Sequence, residues 1–256
     1  MDYVESLAAS RDNFTPEVNK EQEMKLLLLV IVLFLNIQAF ADETVTAQAY
    51  EQNTNKAKKL FDYVSTTTEK DGLSEIVLAY KDLQGQAVYE ENAVIKGSDF
   101  VKTSIFQKQT GESAAVEVKD GKIIFTKTSA DGKTKTETEK LGKTMVMSIN
   151  FKRFVHDHWK EILDGKDVDF RYGVWDRMET VGFEIFKDKD TSINGEKGVI
   201  VKMKPSSFVI AALVKPIFFT YNADGTKLFE LNGRVPAKLK SGDKWKDLDC
   251  EVVYAQ

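Results

Sequence analysis

Alternation of apolar and polar residues is the feature that most constrains how this chain can fold. Through residues 73–149 the sequence consists of short runs in which every second residue is apolar, as in Val116 and Val118. Asp120-Gly121 and Asp131-Gly132 separate such runs, and Asp-Gly pairs are typical of tight β-hairpin turns. A period of two places the apolar side chains on one face of a strand. The segment therefore predicts antiparallel strands with one face in a core and the other in water.

The same pattern predicts strands over most of the chain. Residues 133–140 alternate Lys or Glu with Thr and have no apolar face, which is typical of a charged strand at the exposed edge of a sheet. Asp224-Gly225 indicates a further hairpin turn. The predicted strands are 74–80, 86–95, 100–107, 114–119, 122–127, 133–139, 144–149, 168–172, 181–185, 199–203, 216–222, 227–233 and 246–254.

Three segments predict helices instead. Residues 44–64 place Leu60 and Val64, among other apolar side chains, on one helical face. Residues 151–164 carry an apolar stripe at helical spacing that should lie across the sheet and bury Trp159. Residues 206–214 predict a short buried helix. The sequence therefore predicts a mainly β (α+β) fold, an antiparallel open or half β-barrel with an N-terminal helix and one amphipathic helix packed on the sheet. A two-sheet sandwich is the alternative.

The N-terminal region predicts export. Met24 and Lys25 precede ten consecutive apolar residues, and Ala39-Phe40-Ala41 provides the small residues that signal peptidase accepts. We predict a signal peptide over 24–41, cleaved between Ala41 and Asp42, and a single mature β-rich domain over 42–256. An uncleaved anchor is the alternative, but the apolar run is short for a spanning helix. Residues 1–23 are acidic, unlike a signal sequence, and form a predicted non-native or disordered extension. The expected location is the bacterial periplasm or the exterior.

Charge and cysteine content restrict the partners of this chain. Its 36 basic and 40 acidic residues are interspersed and give a formal net charge of −4, so the sequence has no basic surface for nucleic acid and no polybasic run for a membrane. The lone Cys250 excludes an intramolecular disulfide. We expect no nucleic-acid partner and no stable membrane anchor after cleavage. A hydrophobic ligand or a protein of the cell envelope remains as a partner, and the oligomeric state stays open.

The sequence contains no recognisable catalytic or metal-binding constellation. His156 and His158 are the two histidines, and on a helix they point in nearly opposite directions, so they cannot share a metal ion. Phosphate-binding loops and the serine elbow of hydrolases are absent from the sequence. We therefore predict no catalytic residues, no metal site and no cofactor, and a role that is not enzymatic. A hydrolase with a dispersed site is the least favoured alternative.

The segment 172–179 is the candidate ligand site. It joins two strand patterns and combines an aromatic residue, a glycine bend, a tryptophan and an Arg–Glu pair expected on one strand face. An apolar wall beside a charged contact suits an amphipathic ligand. The alternative is a sheet corner with a tryptophan packed on the core. The predicted ligand-binding residues are Trp159, Tyr172, Trp175, Arg177 and Glu179.

The C-terminal half carries a set of residues on which a family resemblance rests. They are Phe154, Trp159, Leu163, Gly165, Val168, Phe170, Arg177, Glu179, Thr180, Gly182, Phe183, Pro205, Ser206, Lys215, Pro216, Ile217, Tyr221, Leu228 and Gly233. This set resembles that of a family of uncharacterised exported bacterial β-rich proteins. The resemblance covers roughly residues 151–254 and implies no established activity, so no catalytic residue is transferred from it. More distantly, the exported β-rich chain is similar to the LolA-like half-barrel carriers of periplasmic lipids and lipoproteins, which implies a fold but does not fix a function.

The function predicted from these features is that of an exported periplasmic protein that binds an apolar or amphipathic ligand, such as a lipid or a lipoprotein. A structural or interaction protein of the cell envelope is the alternative. The two differ in whether the β-rich body encloses a cavity.

Overall fold

The computed structural model describes residues 42–193 and 195–255. The predicted signal peptide and the acidic residues before it lie outside the described residues. No helix in the described ranges has the length and apolar character that crossing a bilayer requires.

Fifteen strands form one sheet, in agreement with the prediction of a mainly β fold, and the sheet is not closed into a barrel. The strands are β1 (Glu43–Glu51), β2 (Lys59–Lys70), β3 (Leu73–Lys81), β4 (Ala87–Lys96), β5 (Asp99–Gln107), β6 (Glu112–Lys119), β7 (Lys122–Thr128), β8 (Thr134–Lys140), β9 (Met145–Val146), β10 (Val168–Val174), β11 (Glu179–Ile193), β12 (Glu196–Pro205), β13 (Ile217–Asn222), β14 (Leu228–Ser241) and β15 (Lys244–Tyr254).

The sheet joins two meanders through the first and last strands. Strands β1–β8 pair in sequence order, strands β10–β15 do the same, and β1 pairs antiparallel with β15. The short β9 adds to β10 as a parallel edge strand. Strand β8, at the opposite edge, has the exposed face predicted for it. Strand β8 approaches the second meander near its other edge, since the Glu139 carboxylate of β8 accepts a hydrogen bond of 2.9 Å from the backbone N–H of Thr180 in β11, two strands from β9.

Alternate turns of an antiparallel meander lie at the same end of the sheet. The turn after β10, the connection between β12 and β13 (residues 206–216) and the hairpin between β14 and β15 therefore share one end, which we call the distal end. Glycines with left-handed backbone occupy the turns predicted from Asp-Gly pairs, at Gly121, Gly132 and Gly225. These three Asp-Gly pairs thus marked hairpins correctly, whereas Asp164-Gly165 ends a helix.

Two helices pack on the inner face of the second meander. They are α1 (Phe151–Asp157) and α2 (Trp159–Leu163), with His158 between them, where the backbone leaves helical geometry. The ring of Phe151 lies 4.5 Å from that of Phe219 in β13. The apolar stripe predicted for residues 151–164 thus contacts the sheet, and Trp159 is buried as expected.

The predicted N-terminal helix over 44–64 is wrong. The segment forms β1 and β2, joined by a turn in which Asn53 and Asn55 adopt left-handed backbone. Val45, Ala47 and Ala49 point inward, whereas the residues between them are exposed, so an alternating pattern was present beside the helical one. The pairing of β1 with β15 and β2 satisfies its backbone on both sides and decides between the two patterns.

The prediction that the helix over 206–214 is buried is also wrong. Only Phe208–Ala211 is helical, as α3, and none of its residues is buried. The segment connects two neighbouring strands at the distal end, where no described element packs over it. A similar overestimate occurs at 144–149, where only Met145 and Val146 form a strand.

Candidate ligand-binding cavity

A cavity of about 850 Å³ lies between the inner faces of the two meanders. Its size falls within the range of about 300–1,000 Å³ that is usual for sites of small organic ligands. Because successive residues of a strand point to opposite faces, inward apolar side chains from both meanders line it. Examples from five strands are Val45, Leu78, Met203, Phe219 and Leu231.

Six tyrosines add hydroxyl groups to this apolar wall. The ring of Tyr63 lies 5.3 Å from that of Tyr80 and 5.7 Å from that of Tyr254, both edge to face. Burial raises the pKa of Tyr63 to about 12 and holds the pKa of Tyr80 well above its ordinary value. The hydroxyls therefore stay protonated at neutral pH, so the cavity offers neutral donors. The six are Tyr63, Tyr80, Tyr89, Tyr172, Tyr221 and Tyr254.

A buried carboxyl group lies behind this wall. Glu91 in β4 accepts hydrogen bonds from the hydroxyls of Tyr89 at 3.1 Å, Thr103 at 3.2 Å and Ser148 at 3.0 Å. Loss of hydration raises the pKa of Glu91, and the three hydroxyl donors oppose that shift. Since Tyr89 and Ser148 also line the cavity, Glu91 fixes the positions of two lining hydroxyls.

Glu91→Gln is expected to remove a pH-dependent part of the stability. Because the pKa of Glu91 is raised in the folded state, this carboxyl favours folding below its ordinary value of 4.5, and that contribution is lost as the pH rises through the raised pKa. Urea unfolding from pH 4 to 8 measures the free energy of unfolding of both proteins. As the pH rises, the wild type should lose stability relative to Glu91→Gln. Glu75→Gln, on the exposed face of β3, is the control. Parallel pH profiles for wild type and Glu91→Gln would contradict the assignment.

The hydroxyl group of Tyr221 is the most informative polar atom of the cavity. It is buried, and no described residue forms a hydrogen bond with it. Burial raises the pKa of Tyr221 above its ordinary value, so the hydroxyl keeps its proton and can donate. A buried polar group without a partner costs roughly 1–3 kcal/mol, and native proteins rarely keep one without a reason. Tyr221 lines the cavity, so a ligand with a hydrogen-bond acceptor would satisfy this hydroxyl once a local side-chain movement exposes its oxygen.

The structure brings three of the five predicted ligand residues to the cavity. Tyr172, Trp175 and Arg177 line it, the last two from the turn after β10 at the distal end. Glu179 is not among the lining residues but forms the predicted ion pair with Arg177, at 2.5 Å. The ammonium group of Lys127, in β7 of the first meander, lies 5.7 Å from the centre of the Trp175 ring. Whether these residues bind a ligand stays a prediction.

Trp159, the fifth predicted residue, supports the wall from behind instead of lining it. Its Nε1–H donates to the carbonyl of Ala223 at 3.2 Å, and its ring lies 5.3 Å from that of Tyr221. Gly225, with a φ of +76°, leaves room for the indole, since a Cβ there would lie 2.3 Å from indole atom Cδ2. Trp159 thus holds Tyr221 in place.

Sequence reasoning missed five of the six tyrosines. Tyr63 fell inside the wrongly predicted helix, and Tyr254 stands at the end of the chain's last strand. Tyr80 and Tyr89 occupied inward positions of correctly predicted strands, so alternation alone could have marked them. Their convergence could not be seen, because it depends on the pairing of β1 with β15 across the whole chain.

The rim of the cavity carries charged groups that are already paired. Lys152 of α1 lies 3.2 Å from the Glu43 carboxylate, and Lys215 lies 3.6 Å from that of Asp249. These exposed pairs are weak, so they can exchange partners with a charged ligand group. Among the described residues, no group of three or more potential ligands could hold a metal ion. The ring of His158 packs against Phe154, with centroids 4.7 Å apart.

The solved structures that resemble this chain share little sequence with it. No family model matches it, and no curated protein matches it. A β-barrel-like protein of the domain of unknown function DUF1849 from Brucella abortus is similar at 9% identity and a TM-score of 0.42, over 84% of this chain and 95% of that one. A domain named for outer membrane lipoprotein sorting, from Vibrio parahaemolyticus, is similar at 7% identity and a TM-score of 0.29, over 90% of each chain.

Proposed function

We propose that this chain is an exported binding protein of the bacterial cell envelope that carries an apolar or amphipathic molecule in its cavity. The observation that supports the proposal most is the cavity itself, about 850 Å³ between two apolar sheet faces. An interior that served stability alone would be filled with side chains, because empty space forfeits packing energy. The mature domain is proposed to begin at Asp42, after removal of the predicted signal peptide.

The polar atoms of the lining narrow the class of ligand. A pure hydrocarbon would leave the Tyr221 hydroxyl unsatisfied, whereas a molecule with an ester, amide or carboxyl oxygen could accept its hydrogen bond. Arg177 and Lys215, at the rim, suit an anionic head group once they exchange their present partners. An acyl chain with a polar group near one end, as in a lipid or the lipid part of a lipoprotein, meets both requirements.

Tyr221→Phe should separate stability from binding. Removal of the unpartnered hydroxyl is expected to raise the free energy of unfolding of the ligand-free protein by about 1 kcal/mol. The same change should weaken binding of a dansyl-labelled fatty acid by about threefold to tenfold, since one hydrogen bond to the ligand is lost. Urea unfolding and a fluorescence titration measure the two effects.

Tyr50→Phe is the matched control, because Tyr50 lies outside the cavity and donates its hydroxyl to Gln48. It should leave the affinity for the fatty acid unchanged. If Tyr221→Phe and the wild type bound the fatty acid with equal affinity, the Tyr221 hydroxyl would not contact the ligand. Failure of the wild-type protein to bind any acyl probe would refute the proposed function.

A further inference from the structure

The connection between β12 and β13 exposes large apolar side chains at the distal end. Phe208 is 89% exposed, Val209 71% and Leu213 83%. Only one charged residue, Lys215, lies within residues 206–216. Single exposed apolar residues are ordinary, but a contiguous group of this size marks an interaction surface. No described residue covers these side chains.

The hairpin between β14 and β15 carries a different signature at the same end. Trp245 is partly exposed, and the ammonium group of Lys240 lies 5.8 Å from the centre of its ring. Lys238 is neutralised by Asp247 at 2.7 Å, whereas three further lysines of the hairpin face a single acid, Asp243. The hairpin is therefore locally basic in a chain that is nearly balanced in charge. The three lysines are Lys240, Lys244 and Lys246.

Folding places these two segments at the same end of the sheet. Strands β12, β13, β14 and β15 are consecutive neighbours in the sheet, so both segments leave it at the distal end. Lys215, at the end of the apolar connection, lies 3.6 Å from Asp249 of β15, near the base of the hairpin. The sequence shows no polybasic run, because the lysines are spaced along two strands and the apolar group lies about thirty residues before them.

We propose that the distal end docks on the surface of a bilayer that contains anionic phospholipids. The side chains of Phe208, Val209 and Leu213 enter the acyl region, and the hairpin lysines contact lipid phosphates. Trp245 lies at the level of the head groups, where the amphipathic indole is most favourable. Apolar insertion together with basic residues is the combination that binds a protein reversibly to a membrane surface.

Charge and shape favour a bilayer over a protein partner. An exposed apolar segment at the same end of the sheet as three hairpin lysines and a tryptophan matches the layers of a membrane surface, apolar inside and anionic outside. The inference goes beyond ligand carriage and would hold for an empty protein. Docking would also orient the cavity relative to the bilayer, because Ile210 and Val214 of the same connection line the cavity. Docking would therefore place the cavity beside the lipid from which a ligand could enter.

Vesicle flotation of the full chain tests this proposal. The wild type is expected to float with phosphatidylcholine vesicles that contain phosphatidylglycerol, and to bind pure phosphatidylcholine vesicles at least about tenfold more weakly. The variant with Phe208→Ser, Val209→Ser and Leu213→Ser should lose at least about tenfold in binding to the anionic vesicles. All variants share one N-terminus, so any contribution from residues 24–41 cancels in the comparison.

Two further variants make the result specific. Replacement of the three lysines by glutamate (K240E, K244E and K246E) should abolish the preference for anionic vesicles. Val77→Ser removes an exposed apolar side chain from the middle of β3 and should bind as the wild type does. Circular dichroism melting shows that each variant is folded, which is expected because every changed residue is exposed. Unchanged flotation of the triple serine variant would overturn the proposal. A wild type that does not bind anionic vesicles would also overturn it and would favour a protein partner for this surface.

Discussion

Leu78→Trp is expected to weaken the binding of a dansyl-labelled fatty acid by at least about tenfold, or about 1.4 kcal/mol. Leu78 lies on the inner face of β3 and lines the cavity. An indole in its place would project into the space that an acyl chain needs, while the cavity gives the larger ring room without displacing the strand. A fluorescence titration measures the affinity, and urea unfolding shows that the protein remains folded.

Val77→Trp is the matched control, since Val77 precedes Leu78 in the same strand but is 56% exposed on the outer face. The control should bind the fatty acid as tightly as the wild type. If Leu78→Trp and Val77→Trp bound equally well, the probe would have to lie elsewhere than between the two meanders. Such a result would bear on the cavity alone, because neither substitution changes the proposed docking surface at the distal end.

Gly225→Ala is expected to lower the free energy of unfolding by about 2–5 kcal/mol. Two causes add, since the left-handed backbone costs an alanine about 1–2 kcal/mol and the new methyl group overlaps the indole of Trp159. The Cβ would lie 2.3 Å from Cδ2 of that ring, so either the indole or the hairpin must move. Urea unfolding of the purified variant measures the loss.

Gly72→Ala isolates the second cause. Gly72 has the same φ of +76°, but a Cβ there would meet no atom within 4 Å. This control should therefore lose only the backbone share, about 1–2 kcal/mol. Equal losses in the two variants would show that Trp159 does not pack against the hairpin and hence does not position Tyr221.

The sequence predicted those parts of the fold that local chemistry determines. Asp-Gly pairs marked hairpins at Gly121, Gly132 and Gly225, and alternation located most of the strands between them. It failed where two periodicities coexisted, as in residues 44–64, because a helical face and an alternating face were both present. There the partner strand β15, about two hundred residues away, decided the outcome.

The candidate site was predicted only where it is continuous in sequence. The segment 172–179 combined aromatic and charged residues within one turn, and three of the five predicted residues line the cavity. Tyr221 and Glu91 matter because of what surrounds them, one without a hydrogen-bond partner and the other with three. Hydrogen-bond satisfaction depends on the folded environment, so no pattern in the sequence could have marked either residue.

The exposed connection at the distal end illustrates the opposite error. Its apolar run was interpreted as a buried helix because burial is the usual fate of such side chains. The structure leaves Phe208 and Leu213 exposed, at the same end of the sheet as a basic hairpin that is distant in sequence. The same hydrophobicity that normally indicates a core here motivates the proposal of a membrane-docking surface.

Native mass spectrometry of the protein isolated without detergent from the envelope of the cells that produce it tests the central claim most directly. The account predicts a second species, heavier by the mass of one acyl-chain-bearing molecule, which disappears on denaturation and is depleted in Leu78→Trp but retained in Val77→Trp. Repeated isolation of the wild type at the mass of the polypeptide alone, together with no uptake of added acyl probes, would contradict the claim that the cavity is a ligand site.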